Sequence, residues 1–585
     1  MTVRLAFALL AALLWPSPAM AQRPIPGLDS TFARLRAGPP VPAIALAVVQ
    51  RGAVIYRNVA GFADMERGVP ATLSTRFDWA SIAKQFTAFA VSLLVERGQL
   101  QPKDPVKRFL PELDLGGAAI TVADLLHHTS GIEDSDGLLA LAGGRAGDAI
   151  GLDEMVSLLV RQQHVRSGPG EVHSYSNGGY ALLAKIVERL TKQSFAAWTD
   201  SAIFRPLGMT RSGFLESPDQ LVPDRALPYE FSKAAGAYRV SVAETSPGPG
   251  GLYATVDDLA KWTLHLMHPV YQPNATMRLR ERGKLRSGES IGYAWGIGWN
   301  QYHGLTTLSH GGSGPATIAY LVIFPELDFA VVAVSAGETA PTASALALRA
   351  VDILLADKLA AEPPPPSGTP RTLFMSEEAM NTRPPESIGV TVPLERLHQY
   401  TGTYKYPEGS GNEPIVVRLT GSQLEFGWGG RRPYIPLFPL SDGRFVMVPL
   451  WDAYRFITDA SGRVTGVSKE RTPKSLRQNR PESIVAERLP DRRFDATSAE
   501  PYLGQYYSDE LGAFYQVALD DGFLELRHPR HGRMKLIPVT GEQFAIQAGP
   551  LASVTFSRIG GQVSGLELEA RSWSAKSSFR KLPGM

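Results

Sequence analysis

The segment FDWASIAKQF, Phe77–Phe86, places a serine and a lysine three positions apart at the start of a long apolar run. On a helix, residues three apart are neighbours with β-carbons roughly 5 to 6 Å apart, so Ser81 and Lys84 point the same way. A serine hydroxyl becomes a good nucleophile only when a base takes its proton, and burial can lower the pKa of a lysine far enough to make it that base. The same spacing recurs at Ser578 and Lys581 without accompanying chemistry, so spacing alone is not diagnostic.

Two later motifs strengthen the interpretation of this pair. The segment PGEVHSYSNGGYALL contains Tyr175 and Asn177 at the point where a helical pattern begins. The segment LSHGGSGPATIAYLVIF contains His310, Gly311 and Gly312, and it runs into a strand-like stretch. Glycines suit a binding site because a backbone without side chains can approach a ligand closely.

The three motifs, in this order, resemble those of the serine β-lactamase and penicillin-binding-protein superfamily, particularly the class C β-lactamase-like hydrolases. Members carry Ser-x-x-Lys, then Tyr-x-Asn, then Lys- or His-x-Gly. The segments VADLLHHTSGI, IFRPLGM and GPGGLYATVDDLAKW also look like family segments. The resemblance covers Phe32–Val351 and implies an α+β catalytic domain, with an antiparallel sheet flanked by helices and a helical subdomain.

The resemblance also implies a role for each residue of the first two motifs. Ser81 would be the acylated nucleophile, and Lys84 would help to activate it. Tyr175 would be the general base, as a phenolate favoured by nearby cations, and Asn177 would orient amide groups of the substrate. This scheme requires no cofactor and no metal.

In the third motif, His310, Gly311 and Gly312 would contact substrate. The backbone amides of Ser81 and Ser313 would form the oxyanion hole. Antibiotic-hydrolysing members have lysine where this chain has His310. Lysine is a fixed cation suited to a substrate carboxylate, whereas histidine titrates near neutrality. The chain therefore looks more like the esterase and D-aminopeptidase branches, and D-aminopeptidase also carries two C-terminal β-barrels.

The domain organisation is indicated by a change in the predicted secondary-structure pattern along the chain. Residues 22–362 alternate helical and strand-like patterns, and AAEPPPPSGTP marks a stiff linker, predicted over 363–392. Beyond it, YTGTY at Tyr400–Tyr404 returns as YLGQY at Tyr502–Tyr506, one of four echoes in the same order. Such echoes predict two duplicated, small antiparallel barrels. Their predicted bounds are 393–490 and 494–585.

The first residues, MTVRLAFALLAALLWPSPAMAQ, have the form of a secretory signal peptide over residues 1–21. We expect a bacterial protein that is exported, periplasmic or secreted, and without a membrane anchor, because no later segment approaches the ~20 apolar residues of a membrane-spanning helix. A formal net charge of +2 gives no reason to expect a nucleic-acid partner. The chain has no cysteine, which excludes disulfides and thiolate zinc sites.

Two competing motifs are weaker. GESIG, around Ser290, matches a nucleophile elbow, but a charged segment precedes it and a strand-like run follows it, where a strand and a helix are needed. His127 and His128 have no partners at metal-ligand spacing, and the resemblance makes HHTSG a structural turn.

The sequence as a whole predicts an exported serine hydrolase that acts through an acyl-enzyme on small esters or on short peptides or amides, which can include D residues. Two alternatives stay open. One is a β-lactamase or D-Ala carboxypeptidase type of activity, and the other is a non-catalytic protein that binds cell-wall peptides or β-lactams. The expected partner is a small-molecule or peptide substrate, and the oligomeric state is left open.

Overall fold

The computed structural model describes fifteen stretches of the chain. They are residues 24–145, 148–232, 236–240, 244–314, 316–337, 342–360, 387, 389–407, 415–428, 435–447, 452–470, 483–489, 493–546, 549–571 and 575–583. The predicted signal peptide at 1–21 and most of the predicted linker at 363–392 lie outside the described residues. Within these stretches, none of the helices combines the length and the apolar character that crossing a bilayer requires.

The N-terminal part contains fifteen described strands. They are β1 (Ile44–Gln50), β2 (Ala53–Ala60), β3 (Phe62–Asp64), β4 (Val69–Pro70), β5 (Phe77–Asp78), β6 (Ile150–Gly151), β7 (Gly213–Phe214), β8 (Tyr229–Ser232), β9 (Gly236–Arg239), β10 (Glu244–Thr245), β11 (Leu252–Ala254), β12 (Gly298–Tyr302), β13 (Leu305–Gly314), β14 (Thr317–Phe324) and β15 (Phe329–Ser335). Six of them form the main antiparallel sheet, in the order β12-β13-β14-β15-β1-β2. In the short β5-β11-β7 sheet, β5 lies just before the Ser81 segment in the chain.

The α-helices in the described residues number twelve. They are α1 (Pro26–Ala37), α2 (Ala83–Glu96), α3 (Val122–Leu126), α4 (Ser135–Leu141), α5 (Leu152–Val160), α6 (Asn177–Thr191), α7 (Phe195–Thr199), α8 (Val256–Met267), α9 (Pro273–Arg278), α10 (Ala343–Leu354), α11 (Leu394–Tyr400) and α12 (Ala496–Ala499).

Strand β1 is apolar on both faces because helices cover both sides of the sheet. Its larger side chains, Ile44, Leu46 and Val48, belong to one core together with residues of α1 and α10. Its alanines, Ala45 and Ala47, belong to a second core that contains α2 and α8. This alternation is the period of two expected of a strand, and it places the sheet between two helical layers.

Helix α2 is the centre of the helical half. Every residue from Ala83 to Leu94 is buried, so the apolar sequence of this helix reflects contact on all sides rather than on one stripe. Phe86 packs on Trp262 with ring centroids 4.3 Å apart, and the Trp262 indole N–H donates to Gln85 Oε1 at 2.7 Å. These contacts fix the helix that carries Lys84 near its first turn.

The C-terminal part is all-β. Barrel 1 is a nine-stranded antiparallel sheet of β16 (Gly402–Lys405), β17 (Ile415–Thr420), β18 (Gln423–Trp428), β19 (Ile435–Pro436), β20 (Phe438–Pro439), β21 (Phe445–Met447), β22 (Asp452–Thr458), β23 (Val464–Glu470) and β24 (Ser483–Arg488). Barrel 2 is a closed barrel of β25 (Gly504–Ser508), β26 (Ala513–Asp520), β27 (Phe523–His528), β28 (Gly532–Thr540), β29 (Gln543–Ile546), β30 (Leu551–Ile559), β31 (Gln562–Ala570) and β32 (Lys576–Lys581).

The echoes seen in the sequence occupy equivalent positions in the two barrels. Leu419 pairs with Leu424 in barrel 1, and Leu519 pairs with Leu524 in barrel 2. The shared register shows that the repeated residues form the same hairpin twice. The predicted fold class, an α+β β-lactamase-like domain followed by all-β barrels, is confirmed.

Candidate active site

Ser81 lies in a single 3₁₀ turn, Ala80–Ile82, that leads into α2. Trp79 anchors this turn, because its amide donates to Leu252 O at 2.9 Å and its indole N–H donates to Ala254 O at 3.0 Å. Ala80 has a φ of +44°, a left-handed conformation that is uncommon for a residue other than glycine. The turn is therefore held in a strained geometry that its neighbours enforce, which is frequent at catalytic nucleophiles.

Lys84 is fully buried beneath Ser81. Its Nζ donates to Ser81 Oγ at 3.1 Å, to Asn177 Oδ1 at 2.7 Å and to the Pro249 carbonyl at 2.9 Å. A lysine amine has no acceptor of its own when charged, so three converging acceptors hold it in one orientation. The structure thus brings Ser81, Lys84 and Asn177 together as the motif order predicted.

Asn177 is the first residue of α6, and its amide group is oriented from two sides. Its Nδ2 donates to Asp136 Oδ2 at 2.7 Å, while its Oδ1 accepts from Lys84. Its backbone N–H donates to Asp134 Oδ2 at 2.6 Å. A flipped amide would place an N–H₂ against Lys84 and an oxygen against a carboxylate, so Asp136 fixes which end faces Lys84.

Tyr175 lies next to this group. Its hydroxyl is hydrogen-bonded to Ser81, and its ring lies beside Lys84, with Nζ 4.8 Å from the ring centroid. Burial raises the pKa of Tyr175 well above its usual value, and the hydrogen bond from Ser81 opposes that rise only in part. This shift is opposite to the one expected for a phenolate, and it favours the neutral phenol at pH 7.

His310 extends the site on β13, with its ring 6.2 Å from that of Tyr175. Its Nε2 accepts from the Tyr293 hydroxyl at 2.9 Å, and its Nδ1 donates to Gly311 O at 2.7 Å. Burial, and secondly the charge of Lys84, lower the pKa of His310 to about 4. The imidazole is therefore neutral at pH 7 and supplies no cation at the position where antibiotic-hydrolysing enzymes have lysine.

The glycines after His310 place β13 against the nucleophile turn. A β-carbon at Gly312 would lie 2.5 Å from the Trp79 carbonyl oxygen, so only glycine fits without movement. Gly311 and Ser313 point to the other, exposed side of the strand. Ser81 and Ser313 consequently lie on elements in direct contact. The assignment of the Ser81 and Ser313 backbone amides to the oxyanion hole stays a prediction. The assignment of Gly311 and Gly312 to substrate binding also stays a prediction.

His128, whose role the sequence pattern does not indicate, is buried under Tyr175 with ring centroids 4.2 Å apart. Its Nδ1 accepts from the Ser176 N–H at 3.1 Å, and its carbonyl accepts from the Ser174 N–H at 2.8 Å. His128 thus holds the chain on both sides of Tyr175. Burial lowers its pKa well below the usual value, so it acts as a neutral acceptor.

Asp134, Asp136 and Pro249 were missed as well. The proximity of HHTSG to the two aspartates could have suggested a shared role, but nothing in their spacing relates them to Asn177.

The competing candidates Ser290 and His127 lie outside this group of residues. Ser290 is exposed and forms a β-bridge with Lys284, and the next element along the chain is strand β12, where a nucleophile elbow needs a helix. His127 faces away from His128, toward the Glu281 carbonyl at 3.2 Å.

The fold and this constellation are those of the β-lactamase-type serine hydrolases. The family model for Beta-lactamase matches residues 28–355, more than half of the chain, and the chain belongs to that family.

Two curated relatives resemble different shares of the chain. It is 29% identical to the D-aminopeptidase of Gluconobacter oxydans (strain 621H) over 288 residues, 49% of this chain and 54% of that enzyme. It therefore spans only about half the length of this relative. Identity to penicillin-binding protein 4* of Bacillus subtilis (strain 168) is 25% over 424 residues, 68% of this chain and 86% of that protein.

Among solved structures, the octameric penicillin-binding protein homologue from Pyrococcus abyssi superposes with a TM-score of 0.52 at 23% identity. The match covers 78% of this chain and 99% of that one. At this identity the similarity establishes the fold alone.

Proposed function

We propose that this protein hydrolyses small esters, or short peptides and amides with a D residue at the scissile carbonyl, through an acyl-enzyme on Ser81. The observation that carries the proposal is the buried Lys84 Nζ, 3.1 Å from Ser81 Oγ and 2.7 Å from Asn177 Oδ1. A nucleophile, its proton partner and an orienting amide are then in place before substrate binds, as nucleophilic catalysis requires.

In the proposed reaction, Ser81 Oγ adds to the substrate carbonyl and loses its proton to the neutral amine form of Lys84, which passes it on through the Tyr175 phenol. The proton passes to the leaving nitrogen or oxygen, an amine or alcohol departs, and the acyl group stays on Ser81. Water then adds to the acyl-enzyme, gives a proton to the same pair, and the Ser81 oxygen recovers a proton as the carboxylic acid leaves. The raised pKa of Tyr175 supports its role as the donor to the leaving group.

The charges around the site support a substrate with a free amino group. His310 is neutral at pH 7, and the carboxylate of Asp136, partly exposed, lies beside Asn177. The carboxylate of Asp136 attracts a substrate ammonium group. A substrate carboxylate has no protonated imidazole to bind, because His310 is neutral. A D-aminopeptidase among the relatives agrees with this preference.

We further propose that the protein is exported to the periplasm or medium. The support is the signal-peptide pattern of residues 1–21. Expression of the full chain in a Gram-negative host, followed by fractionation and N-terminal sequencing, tests this. Cleavage after Ala21 is expected, and an uncleaved cytoplasmic product refutes it.

The test of the reaction is intact-mass analysis with peptide mapping after a fluorophosphonate probe, with Ser81→Ala and Ser290→Ala measured alongside. We expect one adduct, on Ser81, in the parent chain and in Ser290→Ala, and none in Ser81→Ala. Absence of an adduct on the folded parent chain favours the non-catalytic binding protein. An adduct on Ser290 means that the nucleophile is misassigned.

The substrate class is tested with D-alanine p-nitroanilide, its N-acetyl derivative, and an N-acylated dipeptide that ends in D-alanine. We expect turnover of D-alanine p-nitroanilide, which has a free amino group. The kcat/KM of the N-acetyl derivative and of the dipeptide should be at least about tenfold lower, because an ion pair between the substrate ammonium and Asp136 contributes on the order of 1.4 kcal/mol. Asp136→Asn should narrow this difference. A preference for the peptide with a terminal carboxylate supports the D-Ala carboxypeptidase alternative.

A further inference from the structure

Barrel 2 is joined to the catalytic domain far more closely than barrel 1. Buried residues of barrel 2, including Tyr515 and Phe579, belong to the same apolar core as Leu138 and Leu141 of α4. Buried residues of barrel 1, such as Tyr404 and those packed with it, form a core of their own. Removal of barrel 2 would therefore expose one side of α4, which carries the aspartates of the site at its beginning.

The C-terminal end of α4 is capped by side chains of barrel 2. The Tyr515 hydroxyl donates to Leu141 O at 3.1 Å, and His531 Nε2 donates to Ala140 O at 2.8 Å. These carbonyls are among the last four of the helix, which lack partners within it. The chain beyond the helix is also fitted to the barrel, since a β-carbon at Gly143 would lie 2.2 Å from the His528 ring.

Barrel 2 also reaches the residue just before the start of α4. Strands β31 and β32 pack against α4, and the backbone N–H of Lys576, the first residue of β32, lies near the buried carboxylate of Glu133 and opposes the rise in its pKa that burial causes. Glu133 is followed by Asp134, the N-cap of α4, whose Oδ1 accepts from the Asp136 N–H at 2.9 Å. The barrel thus contacts both ends of a helix only seven residues, or about 10 Å, long.

The start of α4 in turn holds the catalytic group. Asp134 accepts the Asn177 N–H, Asp136 accepts the Asn177 side-chain N–H₂, and the Asn177 oxygen faces Lys84. We propose that barrel 2 is a positioning element of the active site, which acts through α4 and Asp136 on the Asn177 amide and so on Lys84. This inference rests on the proposed acyl-enzyme function, in which Lys84 must face Ser81.

Changes in barrel 2 should affect the chemical step rather than substrate binding, because Tyr515 and His531 contact α4 and not Ser81. In the full chain, Tyr515→Phe with His531→Ala removes both side-chain donors to α4. We expect kcat, and the rate of Ser81 phosphonylation, to fall about tenfold with KM changed by less than about twofold, since two hydrogen bonds are lost. Tyr515→Phe alone should lower kcat about threefold. This variant keeps the aromatic ring in the core, so its effect comes from loss of the hydroxyl group.

Tyr506→Phe is the matched control. Tyr506 is equally buried in barrel 2, and its hydroxyl also donates to a backbone carbonyl, that of Tyr502 at 2.7 Å, but within the barrel. We expect kcat to stay within about twofold of the parent value in this variant. An equal loss in Tyr506→Phe and Tyr515→Phe overturns the inference, because it indicates general loosening of the barrel.

A double-mutant cycle tests the path. If the barrel acts through Asp136, the effect of Tyr515→Phe should largely vanish in an Asp136→Asn background, because coupled residues are non-additive. If the losses in kcat of Tyr515→Phe and Asp136→Asn are additive in the double variant, barrel 2 does not act through Asp136.

Hydrogen exchange measured by mass spectrometry separates failure of this inference from failure of the proposed function. Residues 134–141 and 175–180 should exchange faster in Tyr515→Phe with His531→Ala than in Tyr506→Phe, whether or not the parent chain turns over any substrate. A parent chain without turnover and without a Ser81 adduct refutes the proposed function alone. Unchanged exchange in residues 134–141 refutes the positioning role of barrel 2, even in an active enzyme.

Discussion

Gly312→Ala offers a sharp test of how β13 and the nucleophile turn fit together. The added β-carbon would lie 2.5 Å from the Trp79 carbonyl oxygen, and real β-carbons essentially never approach closer than 3.0 Å, so something must move by at least 0.5 Å. Trp79 is tied to β11 by two hydrogen bonds, from its amide to Leu252 and from its indole to Ala254. The displacement therefore falls on β13 or on Ser81.

A misplacement of about 1 Å in a catalytic group costs on the order of 100-fold in rate, so a shift of this size should lower kcat/KM roughly 10- to 100-fold. The assay is kcat/KM for an activated ester, together with the second-order rate constant for phosphonylation of Ser81. Gly314→Ala is the matched control on the same strand, because its β-carbon would meet the Ala80 β-carbon at 3.7 Å, an ordinary contact.

We expect Gly314→Ala to retain activity within about threefold of the parent chain. Gly312→Ala with activity as high as that of Gly314→Ala would refute the reasoning, since it would mean that the packing of β13 on the turn does not position the nucleophile.

Three further predictions concern buried polar groups of the site. Lys84→Met leaves three acceptors, one of them Asn177 Oδ1, without their donor. We expect no measurable turnover and a loss of about 1 to 3 kcal/mol in the free energy of unfolding by urea. His128→Phe keeps the ring contact with Tyr175 but removes the acceptor of the Ser176 N–H, and it should lower kcat about tenfold while His128→Asn recovers part of the loss. His310 is neutral in the folded protein above about pH 4 but binds a proton in the unfolded chain below its usual value of 6.5. As pH falls, the unfolded chain therefore binds a proton on His310 before the folded protein does. The free energy of unfolding should then decrease between pH 6.5 and 4, by roughly 3 kcal/mol for a pKa difference between 6.5 and about 4. Urea midpoints of His310→Gln should show a weaker dependence on pH over that range, and an unchanged dependence contradicts the assignment.

The features that depend on local spacing could be predicted from the amino-acid sequence. Ser81 and Lys84 face one another because three residues along a helical turn bring side chains to the same face. The two barrels follow from echoes of alternating apolar residues, and their shared register reflects that the same local pattern forms the same hairpin. The order of the motifs was sufficient to indicate the family, since each motif is short and complete in itself.

The way in which distant segments of the chain meet could not be predicted from the sequence and is visible only in the folded structure. Asn177 reaches Lys84 across 93 positions and Pro249 across 165, and no periodicity relates those positions. The tertiary structure also decided the charge state of the site, because the pKa shifts of Tyr175 and His310 come mainly from burial. Burial is a property of what packs around a residue, from α4 to β13, and is not encoded in the identity of its neighbours in the chain.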